Sequence, residues 1–177
     1  TGTSRLQIPD RLERAIDDRL VGVGQASAAM LAVAVEASGD IRRVGAIAAD
    51  DAIDAAVAAG LLERSGDVVR FVHPLVRARV IARASHAELR ATHLQLATLV
   101  EAAGDHEAAL WHRAEAATAP DEELAAQLFE LGDNCRQRGA TREWLLAAQR
   151  AARLSPDIED AALRLADAAH AAWFLSD

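Results

Sequence analysis

Apolar positions recur along this chain at helical spacing in all but one stretch. In "IPDRLERAIDDRL" (8–20), Leu12, Ile16 and Leu20 fall at i, i+4 and i+8, which predicts an amphipathic helix behind a proline-primed start. A glycine-containing link, "VGVG", follows. "QASAAMLAVAVEAS" (25–38) is apolar nearly all round and predicts a buried helix ended by "GD" at 39–40. "DIRRVGAIA" reads as a short helix capped by Asp40, and "ADDAIDAAVAAG" as a third helix closed by Gly60.

The period then changes. "LLERSGDVVRFVH" carries two β-prone runs around "SGD", the pattern of a hairpin. Three helices followed by a hairpin is the element order of a winged helix. From Pro74 the chain is helical again, over roughly 74–84, 86–103, 105–118, 121–138, 141–154 and 157–175. Gly104, "TAPD" (118–121), Gly139 and "SPD" (155–157) supply the breaks. The later helices suggest a repeat with a period of 34 that matches Leu124 to Ile158, Leu131 to Leu165 and Cys135 to Ala169. Two helices in that length, the second ending "AARLSPD", resemble a tetratricopeptide unit. Its small residues let antiparallel helices approach while leucines fill between them.

The expected fold is therefore mainly α: a winged helix, then an antiparallel helical, tetratricopeptide-like array. The boundaries read as a linking helix over 1–24, a winged-helix domain over 25–84 and a helical repeat domain over 85–177. Trp111, Trp144 and Trp173 are expected to plug gaps between helices. The last helix has no partner after it, and "AAWFLSD" is a poor polar cap because Trp173, Phe174 and Leu175 would sit exposed. That leads us to expect a piece of something longer.

Composition narrows the function. The chain has 177 residues, 51% of them hydrophobic, with mean hydropathy near zero, so it can bury a core; no apolar run reaches the ~18 residues of a membrane span. No secretory leader is visible, and one cysteine, Cys135, makes no internal disulfide; a reducing cytoplasm is the expected location. All 19 basic residues are arginine, so a P-loop lysine is impossible here. The net charge of -8 argues against nucleic-acid binding. The helix in the recognition position of the winged helix, "ADDAIDAAVAAG", carries Asp50, Asp51 and Asp54 and no arginine, asparagine or glutamine. Its wing balances Arg64 and Arg70 against Glu63 and Asp67.

Catalysis is not expected. The six histidines (73, 86, 93, 106, 112 and 170) make no HExxH and no Cys/His cluster, and no G-x-S-x-G surrounds a serine. His86 and His93 share a helical face by spacing; these rings otherwise read as partly exposed helix residues. Asp10, Asp40, Asp105, Asp121 and Asp157 stand at helix starts, where carboxylates cap N–H groups and complement the dipole.

One position has two open readings. Pro74 suits the first turn of a helix, which makes His73 its cap residue. The first-turn N–H groups would then be unpaired and the ring beside them could add a donor toward an anion, with Arg77 one turn inside in support. Equally, His73 could merely cap the helix.

"VVRFVHPLVRARV", after a helix ending "AAGLLE", resembles the wing and exit helix of the large ATP-binding LuxR-type transcription regulators of actinobacteria. These are signal-transducing NTPases of the class that includes plant disease-resistance and apoptosis-scaffold proteins. "HRAEAATAPDEELAAQL" and "RGATREWLLAAQRAARLSPD" resemble that family's link into its helical repeats, and the likeness is strongest over about 60–157. The resemblance implies an upstream NTPase binding ATP or ADP, a protein or small-molecule inducer on the repeats, and DNA contact only through a C-terminal helix-turn-helix beyond this chain. It implies no membrane. It also implies a phosphate-sensing role for the histidine at the winged-helix exit, often within Met-His-Asp in relatives. Here Val72, His73 and Pro74 occupy those places, so the role would rest on His73.

Overall fold

A computed structural model describes residues 10–36 and 38–175. Ten α-helices and one two-stranded antiparallel sheet make up the described chain. No helix among the described residues is long and apolar enough to cross a membrane. The chain forms two compact units, residues 1–92 and 93–177.

In the first unit α1 is Asp10–Gly22, and Ile16 and Leu20 are buried as the i, i+4 spacing requires. The side chains of Asp10 and Leu12 lie outside the described residues. The expected helix over 25–38 is shorter: a 3-10 turn over Gly24–Ala26 leads into α2, Ser27–Val35. The early end has a local cause. Glu36 leaves the helical region at ψ 110, and its buried carboxylate turns back to accept from the Gly39 and Asp40 amides and the Ser38 hydroxyl. Helix α3 (Ile41–Gly45) is capped by Asp40, whose carboxylate accepts from Arg42 N at 2.9 Å. Helix α4 is Asp50–Ala58, with Gly60 beyond it at φ 67.

The hairpin falls where the alternation placed it. Strands β1 (Leu62–Ser65) and β2 (Val68–Phe71) pair with Leu62 opposite Phe71 and Ser65 opposite Val68. The chain at Gly39–Ile41 adds to the outer edge of β2: Val69 N donates to Gly39 O at 2.8 Å and Ile41 N to Asp67 O at 2.9 Å. Gly39 is needed there, since φ is 71 and a Cβ would lie 2.4 Å from the Val69 carbonyl oxygen. Helix α5 (Pro74–Arg83) follows, with Val76 and Val80 joining a core that includes Met30, Val44, Ile53, Leu61 and Val69. Arg79 and Arg83 bind Asp17 of α1 from the exposed side.

Helix α6 (His86–Ala102) runs through the division at 92 and 93. The second unit continues with α7 (His106–Ala116), α8 (Glu122–Gln137), α9 (Thr141–Leu154) and α10 (Ile158–Phe174). Each of the three aspartates expected to cap here does so: Asp105 accepts from Ala108 N, Asp121 from Leu124 N, and Asp157 from Glu159 N and Asp160 N. Small residues set the spacing between α8 and α9; a Cβ on Gly132 would come within 3.3 Å of Ala147 Cβ. Trp144 is buried beside them and its Nε1–H donates to Asp167 of α10. Trp111 is half-buried, and Trp173, expected as a plug, is exposed together with Phe174 and Leu175.

The period of 34 does not describe the burial. It matches buried Leu124 and Cys135 to exposed Ile158 and Ala169. The capping residues Asp121 and Asp157 stand 36 apart instead. At that offset Ala125, Leu128, Gly132 and Cys135 fall on Ala161, Arg164, Ala168 and Ala171, which are buried or half-buried. Arg164, only 8% exposed, takes a leucine's place because its guanidinium reaches Glu122 of α8 at 2.6 and 3.0 Å and also the Ser155 hydroxyl.

Candidate functional site

The hairpin delivers His73 to the surface. Val72 N still bonds Leu61 O at 3.2 Å, and His73 follows in extended conformation (φ -146, ψ 139) as the N-cap of α5. Pro74 takes the first helical position, where its missing N–H costs nothing and its fixed φ suits the turn. The His73 ring turns back along the backbone, and Nδ1 accepts from Leu75 N at 3.1 Å. A ring accepting at Nδ1 is neutral and carries its proton on Nε2. That Nε2–H has no partner among the described residues, and Val72, His73 and Pro74 are all exposed.

The expectation of open first-turn amides needs correcting. Leu75 N is taken by the His73 ring, and Val76 N donates to His73 O at 3.0 Å. Pro74 has no N–H to offer. The donor this junction shows to solvent is therefore the imidazole Nε2–H, with the dipole of a ten-residue helix behind it.

Arg77 stands one turn inside α5, and its guanidinium is turned to another use. Its Nε donates to Ala34 O at 2.9 Å, satisfying a carbonyl in the last turn of α2 that has no onward helical partner. No hydrogen bond joins Arg77 to His73 among the described residues. Arg77 thus fixes α5 against α2, and through the helix it fixes where His73 sits.

The remaining candidates scatter. Asp50, Asp51 and Asp54 are exposed along α4, and the hairpin sets Glu63 opposite Arg70. His86 is exposed; His106 sits 2.7 Å from Glu101; the His170 ring meets Trp144 edge-on and Phe174 at a tilt. Among the described residues no three His, Cys, Asp or Glu side chains converge to hold a metal. Cys135 is buried, with Arg138 against its sulfur.

Sequence spacing missed one cluster. His93 on α6 and His112 on α7 meet with Nδ1 to Nδ1 at 3.1 Å and ring centroids 5.3 Å apart, both rings half-buried. Burial lowers His93 to about 4, helped by the His112 ring and by the positive charge of Arg150 on α9. The signal was present as the near-symmetric placement of 93 and 112 about the α6–α7 turn at Gly104, rather than as any motif. Comparison with protein-family models, with curated proteins and with solved structures finds no match to this chain.

Proposed function

We propose that this chain is the regulatory middle of an ATP-dependent, LuxR-type transcription regulator. It couples the nucleotide state of an NTPase domain on the same polypeptide to a helical array that receives a protein or small-molecule inducer. The first unit corresponds to the winged helix and the second to the start of a tetratricopeptide-like array. The observation that carries this reading is His73: an exposed imidazole at a helix N-terminus with a free Nε2–H, immediately after the hairpin.

The junction at α5 fits a phosphate in one respect. This chain has no lysine, and the Leu75 and Val76 amides are engaged, so the start of α5 presents the His73 ring as its donor. The NTPase would hold ATP or ADP; His73 would report which is there. For the report to matter, the nucleotide must favour one placement of this unit on the NTPase over another by a difference in binding free energy. DNA would be read elsewhere in the polypeptide, because exposed carboxylates on α4 repel phosphates.

The test uses the intact protein with its upstream region. A GxxxxGK[ST] motif encoded before this chain is expected, and His73→Ala should shed ADP and raise basal transcription. No such motif, or unchanged ADP content and transcription in the variant, rejects the proposal. A second reading, a plain protein-interaction scaffold, is favoured by α10. Ile158, Leu165 and Trp173 stand 82%, 53% and 59% exposed on it. A scaffold would bind no nucleotide and would lose its partner on Leu165→Asp.

A further inference from the structure

We propose that His93 and His112 form a proton-sensitive latch that holds the α6 segment from His93 onward against α7 at neutral pH and releases it in acid. The geometry is specific. Two Nδ1 atoms 3.1 Å apart can share only one hydrogen, so one ring donates and the other accepts, and the accepting ring must be neutral. A proton added to the accepting nitrogen puts two donors face to face and breaks the bond.

The surroundings make the added charge costly. His93 opens a buried stripe on α6 that continues through Leu96, Ala97 and Val100, so its ring sits where an apolar residue would. Two groups that disfavour a charge on it are His112 from α7 and Arg150 from α9. Glu115 of α7 lies 3.5 Å from Arg150, and the Arg150 guanidinium also donates to Ala114 O. The buried Arg150 Nε has no hydrogen-bond partner, so its charge is incompletely answered. These causes agree with the lowering of His93 to about 4. The sign is that of a depressed histidine: the contact is intact above the free-imidazole value of about 6.5 and is lost as pH falls toward about 4.

Hydrogen exchange of the full 177-residue chain between pH 7 and pH 4, corrected for intrinsic exchange chemistry, reads the latch directly. Amides 93–102 should lose protection by about tenfold or more over that range, with the ring signals of His93 changing in step. In the double variant His93→Gln, His112→Asn, which keeps a neutral donor and acceptor, protection should not vary with pH. His93→Phe, His112→Phe gives the same reading through packing alone if the polar pair fails to fold. Independent titration of both rings near the free value would overturn the latch, as would an equal acid loss in the variants.

Discussion

Gly39→Ala tests the packing that brings the hairpin to its place. At φ 71 any side chain pays the left-handed penalty, about 1–2 kcal/mol. The new Cβ would also stand 2.4 Å from Val69 O, against about 3.4 Å for an ordinary contact, so backbone must retreat by about 1 Å. That movement strains the Val69 N to Gly39 O bond, worth about 1 kcal/mol, and opens the amides that Glu36 accepts from, another ~1–2 kcal/mol. The total is about 3–5 kcal/mol. Gly60→Ala is the control: φ is 67, yet nothing lies within 4 Å of the added methyl, so only the ~1–2 kcal/mol conformational cost applies. Urea unfolding followed by far-UV circular dichroism should separate the two variants by about 2–3 kcal/mol. Exchange of the Val69 amide should rise in the first alone. Equal destabilisation by both substitutions would refute the close approach of residue 39 to β2.

Other consequences are equally direct. Trp144→Ala should cost about 3–5 kcal/mol in chemical denaturation, since the ring is buried against Gly132 and bonded to Asp167, whereas exposed Trp173→Ala should change stability by about 0.5 kcal/mol or less. Asp157→Ala removes the acceptor for two first-turn amides of α10 and should lower the melting stability of the second unit by about 1 kcal/mol. Acid should act in two windows. The neutral His93 contact is complete above about 6.5 and fades toward 4. The carboxylates of Asp17, Asp40, Glu122 and Asp133 are held below their usual range by hydrogen bonds from Arg79, Arg42, Arg164 and Arg136, so their contribution is present above about 4 and lost below it. A stability profile with one loss only, below about 4, would remove the first window.

Local chemistry was legible in the sequence. Asp40, Asp105, Asp121 and Asp157 cap the helices they precede, "SGD" turns the hairpin, and Pro74 opens α5 one residue after the histidine that caps it. These features depend on neighbours within a few residues. What escaped depends on partners far along the chain. The stretch at Gly39–Ile41 is tied to the β2 edge about thirty residues on, through Val69 N and Asp67 O. Burial of Arg164 carries no signal within its own helix, because it rests on Glu122 of α8, 42 residues back. The offset of 34 does not follow burial because alanine-rich helices match one another at several offsets, whereas the capped starts at Asp121 and Asp157 stand 36 apart. At the site, the cap role of His73 was readable, but the engagement of its neighbouring amides and the anchoring of Arg77 on Ala34 were not.

ADP affinity of the intact polypeptide with its upstream region, carrying His73→Asn or His73→Asp, tests the proposed nucleotide sensing most directly. Asparagine and aspartate are both good N-caps, so α5 keeps its first turn and folding stays within about 0.5 kcal/mol of wild type. Asparagine replaces the outward Nε2–H with a shorter amide N–H held close to the backbone, and aspartate removes the donor and sets a negative charge there. ADP should then bind several-fold more weakly to the Asn protein and more weakly still to the Asp protein. Wild-type affinity in both would contradict a phosphate facing that ring.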